Sequence, residues 1–160
     1  MQKIFILFLF AAAQNVMAQN FVSNQRPSKG TERVAAFNQH QAAINLSVYK
    51  KLQWRNVGPD NISGRCTDVW GISGNKNIVY AAFATGGLWK TADAGKTWLP
   101  LFDKQGTQSI GNTAIAPSNN NIIYVGTGEA NIFRASLPGI GMFKSADAGK
   151  TWQHIGLENT

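Results

Sequence analysis

TADAGKTW at 91–98 and SADAGKTW at 145–152 are the same eight residues apart from one hydroxyl exchange, and they stand 54 positions apart (145 − 91). A catalytic motif is rarely spelled twice at so short an interval, whereas a fold built by repetition duplicates its structural units. Each residue of the octet has a folding role. Asp93 and Asp147 begin a tight turn between two strands, where an Asx carboxylate accepts backbone N–H groups. Gly95 and Gly149 supply the positive φ that such a turn requires. Thr91 and Ser145 on one strand can hydrogen-bond across to the turn, and Thr97 and Thr151 are counted with the structural residues of the octets. Trp98 and Trp152 are expected to fill the gap between neighbouring sheets, where an indole buries roughly 150–250 Å². The octets are therefore read as structural and not catalytic.

The repeat extends around the octets. CTDVWGI, NIVYAAFAT, GLWKTAD and KTWLPLF follow one another after Trp54, separated by Gly- and Asn-rich turns. NTAIAP, NIIYVGTGE, GMFKSAD and KTWQHIG then restate the series. Four strands repeated in one order at about 50 residues signal a propeller or array. The fold class is all-β: β-propeller blades, two four-stranded repeats preceded by a short helix, in an incomplete ring. In this alignment Gly64 matches Gly111, Tyr80 matches Tyr124, Trp89 matches Phe143, Asp93 matches Asp147 and Trp98 matches Trp152. Between Tyr124 and Asp147 the second unit is longer, and EANIFRASLPG at 129–139 carries most of the excess. Because a propeller closes with four to eight blades, the chain is expected to be the N-terminal part of a longer protein whose remaining blades are its partners.

The residues before Trp54 divide in two. Lys3, the apolar run IFILFLFAAA at 4–13 and VMA at 16–18 have the order of a secretory signal peptide cleaved after Ala18. The apolar run is too short for a membrane span, which needs about 20 residues. The protein is therefore expected to be exported to the periplasm, cell surface or medium. Residues 19–53 then form a polar leader and a short amphipathic helix. Val34, Phe37, Ile44, Val48 and Leu52 fall at helical spacing, which predicts a helix over about 32–51 with Thr31 as N-cap. Residues 54–160 are the two blades.

Composition narrows the function. The net charge is +7, or +6 once Lys3 is removed, and the basic residues are scattered. Scattered charge on an exported chain argues against nucleic acid. Cys66 is the single cysteine, so no internal disulfide exists, and it reads as a small packed side chain at a strand start. His40 and His154 lie far apart without neighbouring ligands, so neither a metal nor another cofactor is expected.

The pattern S/T-x-D-x-G-x-T-W resembles the Asp-box, or bacterial neuraminidase repeat, of sialidases, sortilin-type receptors and some xyloglucan hydrolases. The wider match is similar to large exported bacterial propellers of the sortilin-like or glycosyl-hydrolase-like group. It runs through WRNVGPDNISGR at 54–65, ATGGLWKTADAGKTW at 84–98, SIGNTAIAPSNNNIIYVGTGEAN at 109–131 and GMFKSADAGKTWQHIGLENT at 141–160. The resemblance implies that the octets join the outer strands of each blade, away from any catalytic face.

Strand alternation then locates the candidate site. Turns between strands three and four share a face with those between strands one and two. The opposite face receives Asp60, Asn61, Arg65, Thr85, Gly86 and Gly87 from the first blade, and Glu129, Asn131 and Arg134 from the second. Asp60, Arg65, Glu129, Asn131 and Arg134 are the ligand-binding candidates, with Glu129 the one weak catalytic candidate. Arg65 and Glu129 could instead pair between the blades and hold them in register.

Two functions stay open: a propeller that holds a peptide or glycan on this face, and a glycoside hydrolase with carboxylates mostly beyond these residues. Most glycosidases need two carboxylates. In the xyloglucan hydrolases the resemblance implies a catalytic Asp before a Gly-Gly pair, in a segment like TDIGG. The matching stretch here is FATGG at 83–87, with Ala84 at the acid's position.

Overall fold

In the computed structural model the described residues are 28–52, 64–131 and 136–159. The expected signal peptide, the first part of the leader, the segment with Asp60 and Asn61, and Arg134 lie outside them. One helix, α1 (Gly30–Leu46), precedes eight strands. β1 (Cys66–Ile72), β2 (Asn75–Phe83), β3 (Gly87–Thr91) and β4 (Leu99–Pro100) form one sheet in chain order. β5 (Ile110–Ile115), β6 (Ile123–Thr127), β7 (Met142–Ser145) and β8 (Gln153–His154) form the second in the same order. Every pairing is antiparallel.

The sheets stack face to face with their first strands, β1 and β5, in contact. Tyr80, Ala82 and Leu88 of sheet 1 meet Ile110, Ile115, Ile123, Val125 and Phe143 of sheet 2 in one buried core. Phe102, from the connection between the sheets, has no exposed surface and stands edge-on to Phe143 and Trp152, at 5.2 and 5.1 Å. The Trp152 indole N–H donates to the Leu101 carbonyl at 2.9 Å, tying sheet 2 to sheet 1. Two consecutive antiparallel meanders packed this way are adjacent blades of a β-propeller.

Strand pairing corrects one equivalence. A bulge in β1 between Cys66 and Asp68 recurs in β5 between Ile110 and Asn112. Cys66 therefore corresponds to Ile110, and Gly111 to Thr67 rather than to Gly64. The first two strands repeat at 44 residues (124 − 80) and the last two at 54 (145 − 91). The difference of ten sits in the β6–β7 loop.

Three packing expectations also change. Trp98 is 42% exposed, because its sheet-2 counterpart Trp152 packs back onto sheet 1, so Trp98 faces the side of sheet 1 away from sheet 2. Cys66 lies on that same side and is exposed, not packed. The helix starts at Gly30, one residue before the expected cap Thr31, and ends at Leu46. Ser47 turns extended at its end, with its N–H bonded to the Ile44 carbonyl at 3.1 Å. Only the first two turns of the apolar stripe are used: Val34 and Phe37 pack, whereas Ile44, Val48 and Leu52 are exposed. Gly30 is obligatory there, because a Cβ would collide with the Glu158 carbonyl.

Candidate functional site

The duplicated turns are built alike, atom for atom. Thr91 Oγ1 donates to Asp93 Oδ1 at 2.8 Å and accepts the Gly95 N–H at 2.9 Å. Asp93 in turn accepts the Thr97 N–H at 2.9 Å and the Thr97 hydroxyl at 2.6 Å. In the second copy Ser145 Oγ bonds Asp147 Oδ1 and the Gly149 N–H, both at 2.8 Å. Asp147 accepts the Thr151 N–H at 2.8 Å and its hydroxyl at 2.6 Å. Gly95 and Gly149 sit at φ 90° and 91°. Ala94 and Ala148 also adopt positive φ, 61° and 60°, which no propensity of alanine announces. Their reason lies outside the octet: each alanine N–H is aimed at a carbonyl of the same blade, Asn77 O in β2 at 3.0 Å and Asn121 O in the β5–β6 turn at 2.9 Å.

Four hydrogen-bond donors per carboxylate favour its charged form. The Thr97 hydroxyl, then the Thr97 N–H and the Thr91 hydroxyl, lower Asp93 from 3.8 to about 2. Thr151 and Ser145 do the same to Asp147, also to about 2. The unfolded chain takes up these two protons near pH 3.8 and the folded chain only near pH 2. The stabilisation is thus complete above the unfolded value and is lost as pH falls through the folded one. Thermal melting from pH 5 to pH 2 should show a stability that declines below about pH 4. The double variant Asp93→Asn/Asp147→Asn should decline less steeply. An unchanged slope would show that these carboxylates do not couple folding to protons.

On the opposite face, Arg65 immediately precedes β1 and Glu129 lies two residues past the end of β6. Glu129 is therefore delivered across the gap between the sheets, where its carboxylate pairs with the Arg65 guanidinium. The Glu129 side chain has no exposed area, while that of Arg65 is 39% exposed. The two ends of the β6–β7 connection approach each other closely. Gly128, at φ 90°, and Gly139 approach so closely that a Cβ on either would overlap backbone of the other strand end. Asn131, Thr85 and Gly86 are exposed near the same rim. Ala84 is only 1% exposed, and its N–H is bonded to the Arg65 carbonyl at 3.0 Å. By strand register it corresponds to Gly128 in sheet 2, so neither sheet offers a carboxylate at that position.

Two contributors were not foreseen from the sequence. Asp68 Oδ2 accepts the Thr113 N–H of β5 at 2.8 Å and the Trp70 indole N–H at 3.1 Å, joining the two inner strands. Its one sequence signal is an acid within a strand, which leaves the partner unknown. The second is the docking place of the expected helix: α1 lies over the face opposite the duplicated turns, where Arg33 Nη2 donates to the Gly139 carbonyl at 2.6 Å and Phe37 abuts Gly106. Among the described residues, no three His, Cys, Asp or Glu side chains are grouped to hold a metal ion. No described helix is long and apolar enough to cross a membrane.

No family model matches the chain, and no curated protein matches it. Among solved structures it is similar to an ancestral GH74 enzyme, with 22% identity and a TM-score of 0.49, over 62% of this chain and 14% of that one. It is similar to the GH74 xyloglucanase from Xanthomonas campestris, with 15% identity and a TM-score of 0.40, over 52% and 14%. YCF48 from Cyanidioschyzon merolae matches at 19% identity and a TM-score of 0.42, over 62% and 29%. The chain spans 14% of the length of either GH74 protein. Likeness this low bears on neither substrate nor reaction. Strand pairing and core packing alone make these sheets propeller blades.

Proposed function

We propose that the chain forms two Asp-box blades of an exported, sortilin-like β-propeller that holds a peptide or glycan on the face opposite the duplicated turns. The signal-like residues 1–18 support export, and the octets with their hydrogen-bonded Asp residues support the Asp-box reading. The observation that carries the binding reading is the Arg65–Glu129 pair. Glu129 has no exposed side-chain area, so it acts on Arg65 and not on a substrate. It holds a guanidinium that is 39% exposed on this face, an arrangement suited to a carboxylate or hydroxyl acceptor. Proton transfer is poorly served on this face, since buried Ala84 occupies the place of the expected acid.

Binding and turnover measured together separate this reading from the glycoside hydrolase. Peptides with free carboxylates and a glycan panel that includes xyloglucan oligosaccharides should be presented to the wild type and to Arg65→Lys. The expected result is binding without release of reducing ends, weakened in Arg65→Lys because an ammonium cannot reproduce the planar fork. Turnover abolished by Glu129→Gln would favour the hydrolase, and loss of no interaction in Arg65→Lys would overturn the binding face.

A further inference from the structure

The face that carries the duplicated turns has a cleft of its own. The β1–β2 turn of sheet 1 and the β5–β6 turn of sheet 2 stand on either side of a cleft of about 270 Å³. Ser73 lies on one rim and Asn120 and Asn121 on the other, with Ile72, Ile78 and Tyr80 as apolar lining. Lys90 supplies the one charge among the lining residues, and its ammonium is held 5.2 Å over the Tyr80 ring. The amides on the rim are not needed by their own turn. Asn119 does that work: its Oδ1 accepts the Asn121 N–H at 3.0 Å and its carbonyl the Ile122 N–H at 2.9 Å. Asn120 and Asn121 make no side-chain hydrogen bond within the described residues. Their backbone is nonetheless positioned, since the Asn121 carbonyl accepts the N–H of Ala148 from the duplicated turn.

We propose that this cleft binds one ring of an acidic sugar. Each planar amide offers a donor and an acceptor to neighbouring hydroxyls. Ile72 and Ile78, both partly exposed, suit the C–H face of a pyranose, while buried Tyr80 holds Lys90, whose ammonium supplies a point charge for the carboxylate. The volume lies just under the ~300–1,000 Å³ typical of drug-sized ligands, which fits a single ring better than an extended chain. The site is independent of the Arg65 face, so either can fail without the other.

Proton–nitrogen correlation spectra of the full chain, titrated with methyl glucuronide and with methyl glucoside, test it directly. The glucuronide should shift the Asn120 and Asn121 side-chain amides and the Ser73 signal, and bind roughly tenfold tighter than the glucoside. Asn120→Ala and Asn121→Ala should each weaken that binding about tenfold with melting unchanged, because both side chains are exposed. Lys90→Gln should erase the preference for the acid. If loss of the Tyr80 contact unfolds it, the two asparagine variants decide. No shift at these signals up to about 50 mM, well past millimolar affinity, overturns the site. So does an equal response to the two glycosides, or one that survives both asparagine variants.

Discussion

Phe102→Ala is expected to lower the free energy of unfolding by about 3–5 kcal/mol, as for other fully buried aromatic residues truncated in a packed core. Phe102 lies on the connection between β4 and β5, yet its ring fills the centre of the inter-sheet core. It touches both Phe143 and Trp152 edge-on, geometries worth about 0.5–1.5 kcal/mol beyond area burial. Its removal should weaken the docking of one blade on the other more than either sheet. Urea unfolding followed by Trp fluorescence and by far-ultraviolet dichroism is the measurement. Loss below about 1 kcal/mol would mean that the sheets do not depend on this contact. Coincident transitions in the wild type that separate in the variant would locate the damage at the interface.

Arg65→Met should destabilise by about 2–4 kcal/mol, because it leaves the Glu129 carboxylate buried and uncompensated. Glu129→Leu should be milder, since the partly exposed guanidinium left behind can hydrate. Replacing both residues removes the charge and its partner together, and buried pairs exchanged for apolar groups are often neutral or better. The double variant Arg65→Met/Glu129→Leu should thus recover most of the stability lost in Arg65→Met. Chemical denaturation of the four proteins gives the coupling energy. Additive losses with no recovery would show that the two side chains do not act as a pair. Ligand binding follows a different order under the proposed function: it fails in Arg65→Met and stays lost in the stable double variant.

Local chemistry made much of this protein legible from its residues. Asp, Gly and Thr at fixed offsets describe a turn whose hydrogen bonds close within eight residues, so TADAGKTW carries its own geometry. NIVYAAFAT and NIIYVGTGE are short apolar runs bounded by turn residues, a local signal of buried strands, and a repeat of four such strands determines blades. Even the face of Arg65 and Glu129 followed from counting strand directions.

Tertiary structure decided the rest, wherever a residue's partner is distant in sequence. Trp98 and Trp152 are preceded by the same six residues, ADAGKT, yet one is exposed and the other packed, because only Trp152 faces a sheet within the described residues. The helix could not be bounded by its apolar stripe, since only Val34 and Phe37 find something to pack on. The register of β5 shifted because a bulge, invisible to an alignment on glycines, sets which residues face each other. The sequence places Glu129 on its face and offers pairing with Arg65 as one of two readings, but it does not show the Glu129 carboxylate fully buried in that pair. Burial requires two sheets to stack, and no property of either segment encodes it alone.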